Sequence, residues 1–308
     1  MPSQALCRLQ TLQPVSLWEC TVCFKEKPVC LRIFESFVPE LTTGAGLLSV
    51  VIEIGGMPVR VNTTDHNFLD MLHERYAGYV SSTRDSEIEF DVQLEPPGKA
   101  DPSSEVRVAQ RGGRWTLARG DFRAEWEPAE HRGWIQQTPT PYSIDSVLRI
   151  VHTLVLARRG GFLLHAASAI RNGRAFIFAG ASGAGKSTIS KLAPRDVALL
   201  SDEISYVQKR EAGYVASGTP FTGELDKPGE NISAPVAALY LLAKGSENRI
   251  DVVTGSEAAR LFLQNVLFFA EDEELVQRTF HAAFDFVSCV PVFRLAFVPD
   301  VRVWELIR

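Results

Sequence analysis

Between residues 175 and 191 the chain reads as an apolar strand, a glycine-rich loop and a helix-forming stretch, and no other segment limits the fold as much. Ala175-Phe-Ile-Phe-Ala179 leads in. The loop Gly180-Ala181-Ser182-Gly183-Ala184-Gly185-Lys186-Ser187 follows, and Thr188 continues it into a helix that Pro194 ends. These eight residues fit G-x-x-x-x-G-K-[ST] in full, in the strand–loop–helix setting the motif needs. Glycines let the backbone curl until several N–H groups face one anion, and the start of the helix adds its positive end. Lys186 can reach outer phosphates and Ser187 can offer a hydroxyl to Mg²⁺. The segment therefore predicts an α/β arrangement that cradles a nucleoside triphosphate, ATP with Mg²⁺, along Gly180–Thr188.

Phosphoryl chemistry also needs an acid near such a loop, for metal and for the acceptor proton. Val197-Ala-Leu-Leu-Ser201 is an apolar strand that ends at Asp202-Glu203. Carboxylates there lie at the carboxyl end of a strand, where open α/β sheets bind ligands. The plainer alternative is a turn after a core strand. His165 is judged by register. Phe162–Ile170 and Ala175–Ala179 flank Asn172-Gly173, a strong two-residue hairpin signal. If Arg171 pairs with Arg174 and the ladder is unbroken, His165 falls opposite Gly180, at the mouth of the loop. A lone histidine is more often a satisfied core residue, but that register favours a role in proton or phosphate chemistry. The loop Gly218-Thr-Pro-Phe-Thr-Gly-Glu224 is a further candidate, rich in glycine and carrying one acid.

The remaining pattern places these motifs. Before residue 136 the reading is mostly strand. Val50–Ile54 and Met57–Val61 form a hairpin across Gly55-Gly56, residues 87–95 alternate as a half-buried strand, and a second hairpin turns at Gly112-Gly113. A short helix over 65–77 carries Phe68, Leu69, Leu72 and Tyr76 on one face. Ser143 is read as an N-cap for a helix that Gly160-Gly161 stops. Ala237–Leu242 is a buried strand, helices are expected over 256–270 and 272–288, and Val292–Val298 and Val301–Leu306 are read as closing strands. The division expected is an irregular segment 1–28, a β-rich accessory or substrate part 29–142, and a nucleotide-binding part 143–308.

Composition closes off other classes. The 308 residues are 45% hydrophobic and 22% charged, with a formal net charge of −5. That balance suits a folded protein and argues against nucleic acid as a partner. No apolar run has the length of a membrane span, and the N-terminus lacks a basic segment followed by an apolar one, so a cytoplasmic protein without membrane contact is expected. Of five cysteines, four fall early, at Cys7, Cys20, Cys23 and Cys30. Cys20-Thr-Val-Cys23 has the spacing of half a zinc site but lacks a second close pair, so reduced thiols are the plainer reading.

Taken together, the strand bearing His165, the Asn-Gly hairpin, the loop GASGAGKS and the nearby Asp202 resemble the HPr kinase/phosphorylase family. That family shares its nucleotide fold with the phosphoenolpyruvate carboxykinases. The resemblance covers residues 160–308 and is closest to HPr-kinase-related proteins other than the phosphocarrier kinase. Gly218–Glu224 and Val290-Pro-Val-Phe-Arg-Leu295 are similar to segments of those proteins. The fold class implied is α/β, a carboxykinase-like P-loop domain preceded by a β-rich α+β domain. The resemblance implies that Lys186 and Ser187 hold ATP and Mg²⁺, that Asp202 is general base and metal partner, that His165 assists, and that Glu224 lies close by. Family enzymes often have two adjacent aspartates where this chain has Asp202-Glu203, with Glu203 as the second metal contact. The family's arginine-containing downstream signature has no match, which argues against phosphorolysis. The N-terminal half does not resemble the HPr kinase N-terminal domain, which argues against HPr as acceptor. The expectation is a kinase acting on a hydroxyl of a protein, peptide or small molecule, and the resemblance favours a homo-oligomer. The alternative is a nucleotide-dependent binding module without phosphoryl transfer.

Overall fold

The computed structural model describes residues 46–96 and 101–308. The segment 1–28 and the four early cysteines lie outside the described residues. From residue 48 onward, glycine-rich two-residue turns fold alternating segments into hairpins. β1 (Leu48–Ile54) and β2 (Met57–Thr63) pair antiparallel across Gly55-Gly56, both at positive φ. Such turns match the twist of the flanking strands. α1 (His66–Arg75) follows, capped by Asp65, whose side chain accepts the N–H of Phe68 at 2.8 Å. β3 (Ile88–Leu94) runs parallel to β2, and β4 (Arg107–Arg111), β5 (Arg114–Arg119), β6 (Phe122–Glu127) and β7 (Arg132–Gln137) complete a seven-stranded sheet in the order β1-β2-β3-β7-β6-β5-β4.

α2 (Pro141–Arg158) joins this sheet to the second. Its N-cap is Thr140, with Pro141 in the first turn, and not Ser143 as expected. Proline is pre-set for that position, so the helix begins two residues earlier. Ser143 lies inside the helix, buried, and donates to Asp121 Oδ2 at 2.7 Å. Gly160, at φ 72°, ends the helix as expected. Ile144, Val147, Leu148, Val151 and Leu154 share one core with Ile52, Val59, Phe90 and Trp115 of the first sheet and with Leu163, Ile204 and Tyr206 of the second.

The second sheet has nine strands. β8 (Phe162–Arg171) and β9 (Arg174–Ala179) turn at Asn172-Gly173, with φ of 51° and 74°. α3 (Lys186–Lys191), β10 (Ala198–Ser201), β11 (Ile204–Arg210), β12 (Gly213–Ser217) and the long β13 (Ser233–Lys244) follow. Then come β14 (Arg249–Val252), α4 (Gly255–Leu263), β15 (Val266–Leu267), α5 (Glu273–Cys289) and β16 (Val292–Phe297). β9, β13 and β16 are parallel neighbours. Pairings β8–β9–β13–β12–β11–β8 close a ring, because β8 and β13 each serve two sets of partners.

Two expectations change here. The helix expected over 256–270 stops at Leu263, and residues 266–267 are strand. Gln264-Asn265 interrupts the apolar pattern, and the chain then pairs with β8. Residues 301–305 form a 3₁₀ turn and not a strand. Asp300 caps it through the N–H of Arg302 at 2.9 Å, and Trp304 is drawn into the core with its indole donating to Ile189 O. The architecture is thus mixed α/β, dominated by sheet with several helices.

Candidate functional site

The glycine loop leaves β9 at the carboxyl ends of the parallel strands β9, β13 and β16, where side chains and turns of open sheets gather around ligands. Gly185 has φ 113°, and a Cβ there would come within 2.7 Å of the Phe297 ring at the end of β16. Only glycine meets both demands. Residues Ala181, Ser182 and Gly183 are exposed, while Lys186 beneath them is 8% exposed. Among the described residues, no hydrogen bond uses the amides of Gly183, Gly185, Lys186 or Ser187. The Lys186 ammonium instead reaches back to Gly180 O at 2.9 Å and Ala181 O at 3.4 Å. Burial lowers its pKa, and the negative charges of Glu203 and Glu224 oppose that shift.

β8 supplies the floor of the site, at the point where it loses its neighbours on both edges. Its ladder with β9 runs in register from Arg171↔Arg174 to Ala166↔Ala179. The next step would pair His165 with Gly180. Instead Asn265 stands between them, accepting the His165 N–H on its backbone oxygen at 2.8 Å and the Gly180 N–H on Oδ1 at 3.1 Å. Its side-chain amide donates to Leu261 O at 2.9 Å, which fixes the orientation. Sequence reasoning missed Asn265. The signal was the polar Gln264-Asn265 within an apolar run, a helix stop followed by a buried amide.

On the other edge, the chain lifts away from β8 between Ser201 and Ile204. Ser201 Oγ closes this turn by accepting the N–H groups of Glu203 (3.1 Å) and Ile204 (2.8 Å). Asp202 is 4% exposed, and its two oxygens accept the N–H groups of Gly223 (3.0 Å) and Leu225 (2.9 Å). It thereby ties the 218–226 loop to the site. A Cβ on Gly223 would lie 3.0 Å from Asp202 Oδ2 and 2.9 Å from Glu203 Cβ, so the approach requires glycine. Glu203 is the acid whose charge is felt by Lys186. Burial raises its pKa, Arg149 and Lys186 pull it down, and Asp202 and Asp145 push it up. His165, half-buried, is held below its usual range by burial and then by the cations Lys186 and Arg149. Its imidazole is therefore neutral at pH 7 and able to accept a proton. Glu224 is exposed, at the rim.

The 218–226 loop is also gripped from the first sheet's side. Tyr79, after α1, donates to Gly229 O at 2.9 Å, and Arg75 Nη1 lies 3.5 Å from Thr222 Oγ1. Arg75 pairs with buried Asp145 of α2 at 2.6 Å, and Tyr76 donates to the same carboxylate. Arg149, one turn further along α2, lies over the Phe221 ring at 4.8 Å. Neither Arg149 nor this clamp was anticipated, since both depend on a helix distant in sequence.

A hollow of about 160 Å³ opens beside Asp202, lined by Ser190, Ser201, Leu225, Lys227 and Glu230 among others. A larger one of about 390 Å³, between Arg158, Lys209, Tyr214, Arg278 and Asp285, holds none of the expected site residues. Among the described residues, no cluster of three or more His, Cys, Asp or Glu forms a ready metal cage.

Residues 136–308, more than half of the chain, match the family described as SynChlorMet cassette protein ScmC. The chain belongs to that family. The match takes in α2, the glycine loop, the Asp202-Glu203 turn, the 218–226 loop and Asn265, so every group placed in the site except the Arg75–Tyr79 clamp lies within it. No curated protein matches the chain. No helix among the described residues is long and apolar enough to cross a membrane.

Proposed function

We propose that the chain is an ATP-dependent phosphotransferase of the HPr-kinase-like kind, built on a carboxykinase-like P-loop domain at 143–308 with the β-rich part 29–142 on the acceptor side. One observation carries this reading. A buried lysine, a neutral histidine and two adjacent acids converge on a loop whose amides are left without partners, at the carboxyl ends of parallel strands.

In this reading the loop amides and Lys186 take the phosphates of ATP. The acceptor hydroxyl oxygen forms a bond to the γ-phosphorus as the bond from that phosphorus to the β–γ bridging oxygen breaks, and ADP leaves. The hydroxyl proton passes to Asp202, oriented by its two amide bonds, and neutral His165 accepts a hydrogen bond at the same centre. Ser187, Asp202 and Glu203 suit Mg²⁺, which is usually held by one or two carboxylates plus substrate phosphates, and it would neutralise phosphate charge there. The hollow beside Asp202 has room for a serine-sized side chain or a small hydroxyl compound, the two acceptor classes this reading allows.

The alternative, a nucleotide-dependent binding module, draws on a specific feature. Both Asp202 oxygens are already engaged by loop amides, so the acid could serve to couple nucleotide to loop order. Incubating the full chain with γ-labelled ATP and cell extract separates the two. We expect label in one acceptor fraction, and Asp202→Asn should lower its rate by roughly 10²–10⁴-fold with ATP affinity little changed. ATP binding without label in any fraction contradicts the kinase reading and favours the module.

A further inference from the structure

Arg149 is an arginine without a partner. Among the described residues the other sheltered guanidinium groups are paired: Arg75 with Asp145, Arg119 with Asp121 and Arg171 with Asp196. Arg149 makes no ion pair and donates no hydrogen bond, and its Nε is buried without a partner. Leaving a guanidinium partly desolvated and unpaired costs stability, so its retention calls for an anion that arrives later. Phe221, 1% exposed, holds the guanidinium plane by stacking and leaves its N–H edge free.

The position of the group tells what that anion is. Arg149 sits on the face of α2 that meets the 218–226 loop, one turn after Asp145. Its charge acts on both His165 and Glu203, as does that of Lys186. Arg149 is not among the charges that act on Lys186 itself. The histidine and the acid therefore lie between two cations, one at the phosphate loop and one on the far side. We propose that Arg149 is a catalytic residue of this site, whose free guanidinium edge receives the phosphoryl oxygens on the acceptor side as the group leaves the loop.

This deepens the phosphotransferase reading and rests on it, so the test must fail separately. Inorganic phosphate is titrated calorimetrically into the full chain, alone and saturated with MgADP, using wild type, Arg149→Gln and Arg149→Met. The wild type should bind phosphate saturably beside MgADP. Both variants should bind it on the order of ten- to a hundredfold more weakly, the loss expected for hydrogen bonds to a charged group. Their MgADP affinity should stay within about twofold, because Arg149 does not touch the phosphate loop. Their melting temperatures should hold or rise, because no partner inside the protein is lost. Phosphate binding that is equal in variants and wild type, or absent from the wild type, overturns the proposal. So does a fall in melting temperature together with loss of MgADP binding, the mark of a purely structural arginine. A chain that binds no nucleotide sinks the phosphotransferase reading alone. The nucleotide-free titration then decides for Arg149.

Discussion

His152 lies in α2 with no exposed surface, and neither ring nitrogen has a hydrogen-bond partner among the described residues. Burial, helped by the positive charge of Arg159, pushes its pKa down to about 3. In the unfolded chain the ring titrates near its ordinary value. Between those two values the unfolded state holds a proton that the folded state lacks, so stability falls as pH falls below about 6.5. The loss is about 1.4 kcal/mol per pH unit. Denaturant titrations at pH 7 and pH 5 should show a drop in the wild type that His152→Leu reduces by about 2 kcal/mol. An identical drop in both proteins would show that another group is responsible. The packing explains the residue's tolerance: its ring meets Tyr206 edge to face at 5.5 Å, as a core aromatic does. His165 could not be told from it by residue type. The hairpin register made that distinction possible, because Asn172-Gly173 fixed which residue reached the loop.

At the scale of elements, legibility followed how local the cause was. The hairpins at Gly55-Gly56, Gly112-Gly113 and Asn172-Gly173 depend on turn residues at positive φ, and all three could be read. The glycine loop is equally local. Substituting Gly185→Ala tests it, since φ 113° and the Phe297 ring both oppose a side chain. The backbone term alone costs about 1–3 kcal/mol. We expect a lower melting temperature and nucleotide affinity reduced by tenfold or more, whereas unchanged affinity would mean the loop is not the binding element. The misread elements depended on partners far away. Val301-Arg-Val-Trp304 alternates like a strand, yet Asp300 caps a 3₁₀ turn that buries Trp304 against α3. The break in the helix expected over 256–270 exists because Asn265 fills the gap where β8 and β9 part, a gap visible only once both strands are in place.

Across the whole molecule, the two sheets meet through one set of contacts that matters for the site. α1 and the turn after it hold the 218–230 segment by Tyr79 and Arg75, and α2 presents Asp145 and Arg149 to the same region. The sequence allowed a β-rich accessory layer but gave no hint that its helix would brace a loop bound by Asp202. The candidate phosphate side was therefore legible, because one short motif contains it. The acceptor side was not, because it is assembled from residues 75, 149, 202 and 221–225. That asymmetry also orders the tests. The nucleotide comes first, since the acid, the histidine and the arginine have a phosphoryl role only if a triphosphate binds. Calorimetric titration of MgATP into the full chain, beside Lys186→Met, examines this directly. The account predicts saturable binding at one site per chain, weakened at least tenfold in the variant by loss of a charge-assisted contact. No heat of binding in the wild type, or equal affinity in both proteins, would contradict it.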